Sequence, residues 1–194
     1  RRAERAGFDG VEIHGANGYL FTQFLSPVQN QRDDAWGGAL PNRAKLLLDT
    51  IRAVRAAVSP GFAVGVRISP VDSWFVLGLT LEDARQLVPM LGEESIDMLH
   101  LSLPKALCTP PKEDSDQVVT TALRKVLPAA IPLMTVGDIW TRDDAEAALD
   151  AGADLIALGR SAIGNPSWPQ DASREDFAPR RTPFSVEDLQ AASV

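Results

Sequence analysis

Val11-Glu12-Ile13-His14-Gly15-Ala16-Asn17-Gly18-Tyr19-Leu20 is the stretch on which the reading of this chain turns. Val11 and Ile13 alternate with Glu12, the period of a strand, and the run stops at Gly15. Three hydrogen-bonding side chains, His14, Asn17 and Tyr19, follow closely, spaced by Gly15, Ala16 and Gly18. Such small residues let the backbone turn sharply and let another molecule come close. The stretch therefore reads as a strand, Phe8 to His14, that delivers three polar side chains to the mouth of a site.

Upstream, Arg1 to Gly7 reads as the last turn of a helix, with basic residues and then Gly7 as its cap. With no initiator Met, the chain is expected to begin partway through a longer protein. Downstream, Gly15 to Pro41 is loop-rich and, at about 25 residues, longer than most connections, which points to a functional loop. Asn42 to Val58 has the periodicity of a helix through Leu46, Leu47, Ile51, Val54 and Val58. Ala63 to Ile68 reads as the second strand. Thr80 caps the next helix, with Asp83 three residues later in a near capping box. Strands are expected at Ile96–Leu103, Ile131–Val136 and Asp154–Leu158. Helices are expected at Gln117–Leu127, after Thr141, and at Ser185–Ala192.

The pattern is strand and helix in alternation. The strands are short, apolar and β-branched, so burial on both faces and a parallel sheet with helical crossovers are expected. Polar residues and glycines gather just after strand C-termini: His14, Arg67, Gly137 and Gly159. That placement suits a (β/α)8 barrel and an open doubly wound sheet equally. Five strands can be counted, whereas a complete barrel takes about 250 residues, so a barrel here would be roughly its second half.

Composition removes several classes of function. The chain has 194 residues, with 19 basic and 26 acidic side chains, a net charge of −7. That argues against nucleic acid and anionic membrane as partners. Cys108 is the lone cysteine, which leaves no internal disulfide and no cysteine metal cage, and the two histidines form no ligand pattern, so no metal is expected. No apolar run is long enough to span a bilayer and no signal peptide is visible, so a cytoplasmic protein is the default.

Two constellations carry chemistry. Met134-Thr135-Val136-Gly137-Asp138 and Ile156-Ala157-Leu158-Gly159-Arg160 each end a strand in glycine followed by a polar residue. Glycine exposes backbone N–H groups to an anion, and Arg160 could grip a phosphate through two hydrogen bonds. In the other constellation, His14 and Asn17 could donate two hydrogen bonds to one carbonyl or phenolate oxygen, withdrawing charge from the β-carbon of an enone. Tyr19 could then supply a proton. Arg67, near the end of an apolar strand, needs a partner: a structural ion pair and an anionic ligand both serve. His100 is read as packing or as support to the site. The four tryptophans, Trp36, Trp74, Trp140 and Trp168, are read as loop shields.

With these residues in place, the chain resembles the old yellow enzyme family of FMN-dependent ene-reductases and NAD(P)H:flavin oxidoreductases. The resemblance runs through His14 to Leu20, Gln23 to Pro27, Arg32 to Gly38, Asn42-Arg43, Val64 to Pro70, Val136-Gly137, Leu158 to Arg160 and Asn165 to Trp168. It implies a (β/α)8 TIM barrel, partial, with about strands 4 to 8 present, and FMN at the strand C-termini. It implies two segments: residues 1–170 as the C-terminal half of the barrel, and 171–194 as a tail with a short helix.

By the same resemblance, His14 and Asn17 match the pair that binds the substrate oxygen, and Tyr19 matches the proton donor. Arg67 matches the arginine beside the flavin, and Gly137, Asp138, Gly159 and Arg160 lie at the phosphate-binding junctions. Gly37-Gly38 and Asn42-Arg43 match a loop motif of mainly structural meaning. Asn17 stands where many members carry a second histidine; both versions occur. The implied activity is reduction of flavin by NADH or NADPH, then of an activated alkene, a small-molecule substrate.

The resemblance also places three strands before Arg1. The two outer strands would then expose unpaired backbone, so a missing N-terminal half-barrel or self-association is expected as partner, and weak FMN binding by the chain alone. A catalytically inactive fragment that serves as an assembly or interaction unit is the alternative. Another phosphate-binding barrel enzyme, such as an isomerase or aldolase, is a third.

Overall fold

In a computed structural model, residues 1–71, 78–110 and 115–183 are described. The helix expected at Ser185–Ala192, and Trp74, lie outside them. Helix α1 (Arg2–Arg5) leads through Gly7, at φ +85°, into β1 (Gly10–Gly15). The remaining elements follow in order: α2 (Leu20–Leu25), α3 (Leu40–Arg55), β2 (Ala63–Ile68), α4 (Leu81–Glu93), β3 (Met98–Ser102) and α5 (Val119–Arg124). Then come β4 (Leu133–Val136), α6 (Arg142–Asp150), β5 (Leu155–Ala157), α7 (Arg160–Gly164) and α8 (Trp168–Asp171).

The five strands are all parallel and lie side by side in sequence order, β1-β2-β3-β4-β5. An open doubly wound sheet reverses its order at a switch point. No reversal occurs here, so the sheet is singly wound, as in a continuous arc of a (β/α)8 barrel. No described helix is long and apolar enough to cross a membrane.

One face of the arc holds the core. Val64, Val66 and Ile68 of β2, Leu99 and Leu101 of β3, and Leu133 of β4 meet Leu47 and Ile51 of α3, Leu87 and Leu91 of α4, and Leu123 of α5. All of these are at most 1% exposed. Each such side chain contributes about 1.5–3 kcal/mol relative to exposure in water. Two helices start on full capping boxes: Thr80 with Asp83, and Thr141 with Asp144, side chains and backbones bonded reciprocally. Loss of such a cap costs about 1 kcal/mol.

The opposite face departs from expectation. The strands are not apolar and buried on both sides. Register sets His14, Arg67 and His100 in one row across β1, β2 and β3, with Glu12 in the row below. His14 and Glu12 are exposed, while His100 is buried. Strand pairing thus lines up a polar row on this face across β1, β2 and β3, which gives way to Met134 in β4.

The long segment after β1 is also more ordered than a loop-rich reading allows. It contains α2 and is pinned in several places. Asn30 Nδ2 donates to the carbonyls of Phe24 and Trp36, both at 2.7 Å. A Cβ on Gly37 would lie 2.1 Å from the Arg32 carbonyl oxygen, so only glycine fits. Arg43, almost fully buried, donates to Leu25 O at 2.7 Å, Gly38 O at 2.7 Å and Asp83 Oδ1 at 3.0 Å. Trp140 and Trp168 are core residues rather than loop shields. They are 3% and 6% exposed, and Trp168 Nε1 donates to Trp140 O at 2.7 Å.

Candidate active site

The C-terminal ends of the strands gather the residues singled out by sequence. β1 ends at Gly15, where a Cβ would lie 2.8 Å from Arg67 O, so the backbones of β1 and β2 approach without a side chain between them. The turn beyond it carries Asn17 at φ +62° and Gly18 at φ +77°, both left-handed. Asparagine tolerates that conformation better than most residues, and glycine adopts it freely. Tyr19 precedes α2 and is 63% exposed. Its ring lies 5.5 Å from that of His14, centroid to centroid, tilted by 52°. His14 and Tyr19 therefore stand together at the open edge.

Asn17 is anchored more firmly. Its backbone N–H donates to Ser69 Oγ at 2.9 Å. Its side-chain Oδ1 accepts from Ser102 Oγ at 3.0 Å and from Ser69 Oγ at 3.4 Å. Ser102 Oγ in turn accepts from Arg67 Nη2 at 3.0 Å. Arg67 thus answers its need for a partner with a serine, not a carboxylate. Its Nε is buried and has no hydrogen-bond partner.

The second constellation closes around the same arginine. A cavity of about 240 Å3 is lined by Arg67, Ser102, Gly137, Asp138, Gly159 and Arg160, among others. Gly137 has φ +152°, and a Cβ there would lie 2.6 Å from Leu103 O and 2.8 Å from Ala106 N. That position requires glycine, whereas a Cβ on Gly159 would meet open space. Asp138, at φ +51°, accepts from Trp140 Nε1 at 2.8 Å. The same carboxylate oxygen is 3.5 Å from Arg160 Nη2. Arg160 is largely exposed, so this pair contributes little to stability and leaves the guanidinium available. The fold brings all five of these sequence-selected residues, Arg67, Gly137, Asp138, Gly159 and Arg160, to one cavity. His14, Asn17 and Tyr19 stand on the neighbouring edge, and Asn17 is joined to the cavity through Ser102.

His100 is in fact paired. Its Nδ1 lies 2.7 Å from Glu12 Oε2, across the intervening strand β2. The residue of β2 in register with Glu12 is Gly65, whose missing side chain leaves the gap that Glu12 crosses. Burial pushes the His100 pKa below its ordinary value, opposed by Glu12 and reinforced by the charge of Arg67. A neutral ring that donates from Nδ1 to the carboxylate leaves Nε2 as a bare acceptor, and that atom is buried without a partner.

Ser69, Ser102 and Glu12, which join these networks, do not stand out in the sequence. The two serines follow the same rule as Arg67, polar groups at strand C-termini, but serine is common there and carries no signal alone. Cys108 is half-buried, and burial raises its thiol pKa, which suits an unreactive packing role.

Residues 1–176 match the model of the NADH:flavin oxidoreductase / NADH oxidase family. The chain is 43% identical over 176 residues to an NADH:fumarate oxidoreductase of Klebsiella pneumoniae, covering 87% of this chain and 19% of that protein. It is 41% identical to a probable NADH-dependent flavin oxidoreductase (YqiG) of Bacillus subtilis, covering 87% of this chain and 46% of that one. Its fold is similar to the structure of the old yellow enzyme homologue from Zymomonas mobilis. There the TM-score is 0.78 at 34% identity, over 96% of this chain and 51% of that one. The chain spans about half the length, or less, of these relatives.

Proposed function

The chain belongs to the NADH:flavin oxidoreductase / NADH oxidase family, a family of enzymes, and on that footing we propose that it forms the substrate and phosphate side of an FMN-dependent, NAD(P)H-driven alkene reductase. The observation that carries the reading is the continuity of the two constellations. Asn17, on the polar edge with His14 and Tyr19, is hydrogen-bonded through Ser102 to an arginine in the wall of an anion-suited cavity.

The residues fit FMN. Arg67 Nε is buried and unpaired beside the cavity, so an acceptor placed there would satisfy it. Gly137 lets its turn pack against the Leu103–Ala106 backbone, while Gly159, where a Cβ would meet open space, leaves room for a phosphate beside Arg160. Arg67 would hold the ring, and Gly137, Asp138, Gly159 and Arg160 the phosphate end. When bound, FMN would supply hydride chemistry, taking two electrons from NADH or NADPH and passing them to the β-carbon of an alkene.

The chain's own side chains do the rest. His14 and Asn17 donate to the electron-withdrawing oxygen of the substrate and draw charge toward it, which makes the β-carbon electrophilic. Tyr19, beside His14 on the open edge, delivers a proton to the α-carbon. A positioned acid of this kind is worth about 10²–10⁴-fold in rate.

The test is Tyr19→Phe in the flavin-loaded protein. Alkene reduction should slow by about 10²-fold or more, while flavin reduction by NADH stays near the unmodified rate. Equal losses in both half-reactions would refute a proton donor confined to the second. A protein that binds no flavin and turns over no enone would instead support the assembly-unit reading.

A further inference from the structure

Ser102 belongs to neither the polar edge nor the cavity alone; it connects them. We propose that Ser102, with Ser69, fixes the Asn17 amide so that it offers the substrate hydrogen-bond donors only, and ties that amide to Arg67. The proposal rests on the reading of Asn17 as a substrate-binding residue.

Donor accounting sets the orientation. Arginine can only donate. Arg67 Nη2 lies 3.0 Å from Ser102 Oγ, so the serine accepts there and keeps its own hydrogen for another acceptor. The acceptor is Asn17 Oδ1, 3.0 Å away. A backbone N–H is likewise a donor only. Asn17 N donates to Ser69 Oγ at 2.9 Å, which frees the Ser69 hydrogen for the same Oδ1 at 3.4 Å. Two hydroxyl hydrogens thus fill the two lone pairs of one amide oxygen. A flipped amide would set Nδ2 against both serines and strand both hydroxyl hydrogens, a loss on two counts. The left-handed backbone at Asn17, φ +62°, is held by the same Ser69 contact.

Two consequences follow. Both Nδ2 hydrogens remain for a ligand, and neither can be exchanged for an acceptor by rotation. The edge therefore selects ligands that present an acceptor oxygen, such as a ketone, ester, carboxylate, nitro group or phenolate, over ligands that present a donor. A histidine can offer either role by changing tautomer, whereas this locked amide cannot. The second consequence is coupling. The Arg67 charge polarises the Ser102 hydroxyl, which strengthens its hold on Oδ1, so events at the cavity reach the substrate oxygen through one hydroxyl. Ser102 is in this sense a positioning residue: it acts through Asn17.

The experiment compares Ser102→Ala, Ser102→Thr and Ser102→Cys with the unmodified protein, flavin-loaded, using two readouts. The first is binding of 4-nitrophenolate, followed by absorbance. Ser102→Ala should weaken it about tenfold, the loss of about one hydrogen bond, and Ser102→Thr should restore it, with kcat for alkene reduction falling and recovering in the same two variants. The second is the Asn17 side-chain amide resonance, assigned by its loss in Asn17→Asp. It should shift in Ser102→Ala and return in Ser102→Thr. An unmoved amide resonance overturns the lock. A moved resonance with unchanged phenolate affinity overturns the selection of acceptor ligands. Ser102→Cys keeps the volume without a strong donor and should behave as Ser102→Ala does, should the alanine variant fail to fold. A protein that binds no phenolate refutes the substrate role of Asn17, while the amide resonance still decides the lock.

Discussion

Replacing Arg43 with Met removes a guanidinium that ties three parts of the fold together. Its Nε reaches the carbonyl that ends α2, its Nη1 the Gly38 carbonyl before α3, and its Nη2 the Asp83 carboxylate in the first turn of α4. Met has similar length and no polar atom, so the cavity left is small and the loss is electrostatic. The arginine side chain is 8% exposed and Asp83 22%. Deleting one partner of such a buried pair costs about 3–5 kcal/mol, because the other charge stays behind. Asp83 keeps its bonds from the Thr80 backbone and hydroxyl, which favours the lower end of that range.

Urea unfolding followed by circular dichroism measures the change directly. We expect a midpoint lowered by the equivalent of about 3 kcal/mol, a large part of a typical stability of about 5–15 kcal/mol. Arg43→Lys keeps the charge but cannot fan donors to three acceptors and should lose about half as much. Asp83→Asn combined with Arg43→Met should cost clearly less than the two changes added together. An Arg43→Met protein within about 1 kcal/mol of the unmodified one would refute the pin, since that is the range of an exposed pair.

Three further outcomes follow from the same structure. Gly137→Ala should destabilise by about 2–4 kcal/mol in urea unfolding, from overpacking against the Leu103 carbonyl and a backbone at φ +152°. Gly61→Ala, where a Cβ meets nothing within 4 Å, should stay within about 0.5 kcal/mol. For His100, the folded pKa lies below its ordinary value of about 6.5, so between the two the unfolded chain binds the extra proton. Its contribution is present above pH 6.5 and lost as pH falls through the folded pKa. Urea titrations at pH 7.5 and 5.5 should show this loss, and His100→Gln should show less of it.

The fold was readable where the sequence carries its own punctuation. β2 was bounded correctly because Pro60-Gly61 and Ser69-Pro70 bracket it. Thr80 caps α4 as expected, and α6 begins just after Thr141 as expected. β3 and β4 each start two residues later than expected, beyond Ile96 and Ile131. Both are buried apolar residues that precede their strands, so hydrophobicity marked the core rather than the pairing. α3 starts at Leu40 and not at Asn42, because Pro41 fits a first helical turn where its missing N–H costs nothing. The helices α2, α7 and α8, of four to six residues, are too short for a 3.6-residue period to register.

The candidate site shows the same division. His14, Asn17 and Tyr19 announced themselves through a glycine-rich turn. The Glu12–His100 pair spans 88 positions and two strand spacings, and depends on the gap at Gly65. Only strand register brings those three residues together, and register is not written in any local pattern.

Along β2, Val64, Val66 and Ile68 face the helices, and Arg67 stands on the other side of the sheet, one residue out of phase. Side chains alternate faces, so a slip of a single residue in strand pairing would exchange the two sets. It would thrust Arg67, and likewise Glu12 or His100 in their strands, into the packed layer of leucines, where an unpaired charge or polar group costs several kcal/mol. The polar row on this face thereby also polices assembly. A misregistered sheet is penalised by the very groups that a correct one keeps out of the leucine layer.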